Sequence, residues 1–385
     1  MRETGVALAD RETERGAFPS ADASVATLGE RRPPAHRAEP MPSNTFSGPI
    51  FVPLRSQLGD TDMVVHPLAL GSSTFGWTLG SEDAHAVLDR FAGTGGDLID
   101  TADSYAAGRS ESIIGSWMAS RRTRDRMHVM TKVGRSAQHP GLSPESIRAA
   151  VDDSLRRLQT DRVDVLFFHG EDAEVPLEES LGAVGALVDA GKVRALGASD
   201  FGPERLIEAR VLAANGLPRF QALTTRYNLM ERSGFEGASE LVAHAQGLAV
   251  MPYFPLANGF LGGGIRRRAD VRHDARGERA GSHLGRRGAR VLAALDEIAR
   301  AHEASPATVA LAWLLAKPSV IAPVASASTP DQLDALIAAA SLDLHRSELV
   351  ELDRASPAAV KASSAVPSGS STAPFIAHSL WHGPP

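Results

Sequence analysis

No cysteine occurs in the 385-residue chain, which excludes disulfides, thiolate metal sites and cysteine nucleophiles and makes a reducing, intracellular compartment the easiest fit. No apolar run approaches the roughly 20 residues needed to span a membrane. Excess positive charge is missing too: the formal net charge is -6, which gives no sign of a nucleic-acid partner. The first residues, "MRETGVALADRETERGAF", lack the apolar core of a secretory signal, so cytoplasm is the expected location.

Several catalytic signatures are absent as well. There is no G-x-G-x-x-G, no G-x-x-x-x-G-K-[ST], no G-x-S-x-G and no H-E-x-x-H, so any nucleotide must be held by other means. Asp97, Asp100 and Asp103 do not read as a metal site, because strand alternation turns the middle one away from the other two; no metal is expected. No apt pair of strand-end glutamates supports a glycosidase.

Residues 1–50, rich in Arg, Glu, Ala, Pro and Ser, bury too little to offset ordering entropy and are expected to be a disordered extension. Residues 357–385 have the low complexity of a tail, although "FIAHSLWH" offers an apolar segment that folds back in one reading.

What is present between these ends, over 51–356, is an alternation of short apolar runs and longer helical patterns. Eight runs read as strands: "HPLALGSS", "DLIDTA", "MHVMTKVG", "VDVLFFHG", "VRALGASD", "FQALTT", "LAVMPYF" and "SVIAPVAS". In "SPESIRAAVDDSLRRLQ" the spacing of Ile147, Val151, Leu155 and Leu158 gives a helix with one buried stripe, started by Ser143 and Pro144. Eight strands about 30 residues apart favour a closed parallel (β/α)8 barrel, a single α/β domain, over an open sheet of five or six strands. Ahead of them "SQLGDTDMVVHPL" predicts a hairpin capping the barrel bottom. Of the two helical segments between 287 and 316, one is expected to lie outside the eightfold repeat, and the Arg-rich stretch 265–287 reads as a loop.

In such a barrel the C-terminal strand ends share one mouth. The strand ends here carry Asp100, with Tyr105 just beyond it, then Lys132, His169, Ser199 with Asp200, and Tyr253. Ionisable groups inside apolar strands require partners. Lys132 facing Asp100 satisfies both, and its charge would draw the pKa of Tyr105 down, making the phenol a general acid.

These residues, with "DTADSYAAGRSE", "TKVG", "LFFH", "GKVRALGASDF", "YNLMER" and "PYFPLANGFLGGG" in order over roughly 55–340, resemble the aldo-keto reductase family. The resemblance implies NADPH-dependent reduction of an aldehyde or ketone. Tyr105 would protonate the carbonyl oxygen, Lys132 and Asp100 would tune that tyrosine, and His169 would orient the carbonyl.

For the cofactor, the resemblance implies Ser199 and Asp200 at the nicotinamide amide, where the family usually reads Ser-Asn, and Thr224 where it usually has Gln. Tyr253 would stack on the ring, with Pro255 and Leu256 beside it. Gly264 stands where a lysine near the pyrophosphate is common, and Arg266 is the nearest replacement. Ser326, Ser328 and Gln332 follow the last strand, where the adenosine phosphate would lie. Phe75, Trp77 and Phe260 suggest an apolar rim for the carbonyl substrate. A monomer is the simplest assembly. The alternative to an enzyme is a barrel that binds NADP(H), turns over weakly and serves a partner as a redox sensor.

Overall fold

The structure, a computed structural model, describes residues 55–358. The N-terminal segment 1–50 and nearly all of 357–385, including "FIAHSLWH", lie outside the described residues.

The eight apolar runs form one closed barrel of parallel strands. They are β3 (Ala69–Gly71), β4 (Leu98–Asp100), β5 (His128–Val133), β6 (Val163–Phe168), β7 (Val193–Ser199), β8 (Phe220–Arg226), β9 (Ala249–Tyr253) and β10 (Val324–Ala325). β10 closes the ring by pairing with both β3 and β9. The hairpin ahead of it is present: β1 (Ser56–Gln57) pairs antiparallel with β2 (Val64–Val65). Its Leu58, Met63 and Val65 are buried against Ala69, Leu98, Met130, Val165 and Met251, so the hairpin plugs the barrel floor.

Helices α1 (Ser81–Gly93), α2 (Arg109–Arg121), α3 (Pro144–Leu158), α4 (Leu177–Asp189), α5 (Pro203–Ala214) and α6 (Ala238–Ala245) follow β3 to β8 in turn. The stripe read from the sequence of α3 is buried, and the Ser143 hydroxyl accepts from the Ser146 amide at its start. After β9 come α7 (Ala275–Gly281), α8 (Arg286–Ala301) and α9 (Pro306–Leu315); after β10 come α10 (Pro330–Ile337) and α11 (Arg346–Ala355). α7 corrects the expectation of a structureless loop over 265–287. The Asp274 carboxylate caps that helix by accepting from the Gly277 amide at 2.7 Å. Gly277 and Gly281 let it pack where a Cβ would meet Arg272 or Val271.

Strand alternation sorts the barrel into two apolar layers. Leu70, Ile99, Val129, Leu166, Leu196 and Leu223 face the helices, while Ala69, Leu98, Met130, Val165, Ala195 and Ala222 face inward. Near the top Phe167 fills the interior, and only a glycine fits opposite: a Cβ on Gly197 would lie 2.3 Å from the Phe167 ring. Continuing the inward register upward brings Lys132, His169, Ser199, Thr224 and Tyr253 to the mouth.

Candidate active site

Asp100 ends β4 and Lys132 lies one residue before the end of β5, neighbouring strands whose register pairs Asp100 with Met130. Asp100 and Lys132 are 3% and 4% exposed, so each charge needs the other. Lys132 Nζ donates to Asp100 Oδ1 at 2.6 Å and Oδ2 at 2.7 Å, to the Thr101 carbonyl at 2.9 Å and to the Tyr105 hydroxyl at 3.3 Å. Three of the four predicted catalytic residues, Asp100, Lys132 and Tyr105, therefore meet at one ammonium. Burial works against the lysine's charge, but Asp100 and Tyr105 outweigh it and hold the ammonium above its ordinary range. Burial also raises the Asp100 carboxyl, with Lys132 opposing.

The expected acidification of Tyr105 is corrected. Burial raises the phenol above its ordinary value; Lys132 pulls it back in part, and Asp100 adds to the rise. The phenol thus keeps its proton at neutral pH, as a proton donor must before reaction.

His169 follows β6 and meets Tyr105 edge-on, ring centroids 6.0 Å apart. Burial, helped by the charges of Lys132 and Arg135, holds its pKa well below the ordinary value. The imidazole is neutral at physiological pH, and its buried Nδ1 has no hydrogen-bond partner among the described residues.

The segment carrying Tyr105 is strained. Ala106 (φ 50°) and Ala107 (φ 53°) both adopt left-handed backbone before Gly108 (φ 83°), at a cost of about 1–2 kcal/mol per alanine. The turn is held by the Tyr105 amide on the Ala102 carbonyl, 3.1 Å, and by Arg157 packed where a Gly108 Cβ would be.

Across the mouth, Ser199 and Thr224 are partners in the β7–β8 register, so their hydroxyls share a face. Thr224 Oγ1 is buried without a partner among the described residues. Asp200, in left-handed backbone at φ 56°, accepts from the Tyr253 hydroxyl at 2.8 Å (Oδ1) and 3.0 Å (Oδ2). Burial, then the Asp200 charge, raises the Tyr253 phenol.

With this geometry in place, comparison with known proteins is decisive: the Aldo/keto reductase family model matches residues 67–357. The chain belongs to the aldo/keto reductase family. It is 33% identical over 307 residues to an aryl-alcohol dehydrogenase of Pestalotiopsis microspora, covering 75% of this chain and 78% of that one. It is 32% identical to an uncharacterized oxidoreductase of Bacillus subtilis, YrpG, over 75% of this chain and 91% of the relative. Norsolorinic acid reductase of Emericella nidulans is 32% identical, over 76% of this chain and 79% of its own.

Aldo/keto reductases use a nicotinamide cofactor, and at the nicotinamide end the residues fit one. The unpartnered Thr224 hydroxyl and the adjacent Ser199 can meet an amide, and the partly exposed Tyr253 ring offers a stacking face. Pro255 is buried, and the Leu256 carbonyl accepts from the Gly259 and Leu261 amides, shaping the turn after β9.

The phosphate candidates are less assembled. Arg266 spends its guanidinium on Asp296, at 2.6 and 2.8 Å, and on the Gly263 carbonyl, so it does not stand ready in place of a lysine; Gly264 beside it is exposed. Gln332 accepts from the Ser328 amide at 3.0 Å, at the start of α10. Ser326 faces Gly71, where a Cβ would lie 2.9 Å from its hydroxyl oxygen.

The apolar rim is corrected in part. Phe75 and Phe260 are 0% exposed, packed among the helix-facing layer, and present no rim surface; Trp77 is 56% exposed. Trp77 lines an open cleft of about 410 Å³ with Leu79, Arg109 and Ile113.

Two residues at the site were given no catalytic or binding role from the sequence. Asp103, two residues before Tyr105, is 2% exposed, and neither carboxylate oxygen has a hydrogen-bond partner among the described residues. Burial and the charge of Glu111 raise it to about 7, against Arg157, the Ser104 amide and Lys132. Arg135, three residues past Lys132, reaches back over the mouth to within 3.7 Å of Asp200. Its signal was a cation directly after the "TKVG" strand end.

Proposed function

We propose that this aldo/keto reductase reduces an aldehyde or ketone with NADPH, with Tyr105 delivering the proton. The observation that carries the reading is the Lys132 ammonium, bonded at once to Asp100 and to the Tyr105 hydroxyl. When bound, the dihydronicotinamide supplies the hydride to the carbonyl carbon.

The chain's own residues do the rest. Tyr105 holds its proton until negative charge develops on the carbonyl oxygen, and then donates it. The resulting phenolate is stabilised by Lys132, whose charge is fixed by Asp100. Neutral His169, beside the Tyr105 ring, orients the carbonyl oxygen through its ring nitrogen. Ser199 and Thr224 receive the cofactor amide, and Tyr253, fixed by Asp200, carries the ring face. Asp200 cannot donate to an amide oxygen as an asparagine would, so this grip is weaker than Ser-Asn.

Aromatic carbonyls are the first substrates to examine, because relatives are named aryl-alcohol dehydrogenase and norsolorinic acid reductase. The test is turnover of NADPH and NADH on a panel of benzaldehydes. Turnover preferring NADPH supports the reading. NADPH binding without turnover on any carbonyl supports instead the weakly active redox-sensing barrel, which the Asp200 and Thr224 departures favour.

A further inference from the structure

We propose that Arg135 is a specificity-determining residue that engages an anionic oxygen group, a carboxylate foremost, on the carbonyl substrate. The inference rests on the proposed reduction at Tyr105 and His169, and adds the substrate's charge.

The placement follows from two glycines. Gly134, at φ 110°, turns the chain sharply as it leaves β5, directing Arg135 back across the mouth. Gly170, the residue after His169, then leaves the space the guanidinium occupies: a Cβ there would lie 2.9 Å from Arg135 Nη2 and 3.5 Å from Cζ. The cation therefore lies against Gly170, the residue next to the proposed carbonyl-orienting His169. Its charge is felt at the reacting groups, lowering the pKa of His169 and opposing the rise at Tyr105.

The guanidinium is unspent. Among the described residues Arg135 donates no hydrogen bond, and its one ion pair is with Asp200 at 3.7 Å, beyond hydrogen-bond length. Both Asp200 oxygens already accept from Tyr253. With its side chain 52% exposed, Arg135 offers a planar fork to solvent at the site entrance. Such a fork matches a carboxylate in bidentate fashion, which an ammonium does not. The neighbouring negative charge of Asp200 repels an anion, so the gain depends on the fork's hydrogen bonds and not on a general positive field.

The experiment compares 4-carboxybenzaldehyde with its uncharged methyl ester. In the parent, kcat/KM favours the acid about ten- to a hundredfold, the span of one or two charge-assisted hydrogen bonds, and the difference resides in KM. In Arg135→Met the ratio falls to near one; in Arg135→Lys it is intermediate. A ratio near one in the parent, or one unchanged in Arg135→Met, overturns the proposal.

A second measurement is independent of turnover. Terephthalate is titrated by calorimetry into the full chain saturated with NADP, and the affinity is compared with that of Arg135→Met. Binding lost in the variant, with NADP affinity retained, keeps the subsite even if no carbonyl is reduced. Loss of NADP affinity in the variant would show that Arg135 serves the cofactor phosphates instead, and absence of terephthalate binding in the parent would equally contradict the proposal.

Discussion

The Tyr253 hydroxyl donates to both carboxylate oxygens of Asp200, at 2.8 and 3.0 Å, tying the end of β9 to the end of β7 across the site. The tie holds the aromatic face in one tilt but occupies the side chain that would otherwise meet the cofactor amide. Asp200→Asn keeps an acceptor for Tyr253 and regains a donor for the amide oxygen. The dissociation constant for NADPH, followed by nicotinamide fluorescence, should fall roughly tenfold, about one hydrogen bond's worth, with kcat little changed. Weaker binding in the variant would mean that the aspartate charge is itself required.

Removing Lys132 alone leaves Asp100 buried without a counter-charge. Lys132→Met should cost about 3–5 kcal/mol in stability as well as abolishing turnover. The double variant Asp100→Asn with Lys132→Met removes both charges, so its melting temperature should recover much of the loss while activity stays absent. Recovery of activity in the double variant would show that the ammonium has no part in the proton transfer.

Asp103 gives the fold a pH dependence of definite sign. Its carboxyl is held near 7 in the folded chain against an ordinary 3.8, so between those values the folded state keeps a proton that the unfolded state has released. Its favourable contribution is present in full below about pH 4 and is lost as pH rises to about 7. Asp103→Asn should therefore be more stable than the parent at pH 8, on the order of 4 kcal/mol, with the gap closing near pH 4. Chemical denaturation at a series of pH values measures it, and a gap independent of pH contradicts the account.

Gly197→Ala tests the packing under the site. The added methyl would press on the Phe167 ring at 2.3 Å. The expected loss is about 1–3 kcal/mol, and Phe167→Leu in the same chain should restore part of it. An unchanged melting temperature for Gly197→Ala would mean that the barrel interior yields.

The strands were legible because a barrel buries both their faces, leaving near-continuous apolar runs such as "VDVLFF" that stand out between helical patterns. The same physics exposed the site: Lys132 and His169 are conspicuous because an ionisable group in such a run needs a reason. What stayed hidden depends on partners far along the chain or on backbone geometry. Arg266 looked free until its pairing with Asp296, 30 residues away, was seen. Phe75 looked like a rim residue, yet the turn after β3 folds it into the helix-facing core. α7 was masked by its arginines, because Asp274 and two glycines, not an apolar stripe, establish it. Arg135 gave only a bare cation after a strand; that it lies over Gly170 is set by two positive-φ glycines.

The central claim is that the Tyr105 hydroxyl, bonded to Lys132, delivers the proton. Its most direct measurement is single turnover of Tyr105→Phe preloaded with NADPH and mixed with an aromatic aldehyde, reading the ultraviolet absorbance of the reduced cofactor. The account predicts a rate lower by about 10²- to 10⁴-fold with NADPH affinity retained. A rate within a factor of about ten of the parent would contradict it, since that is below what loss of a general acid costs.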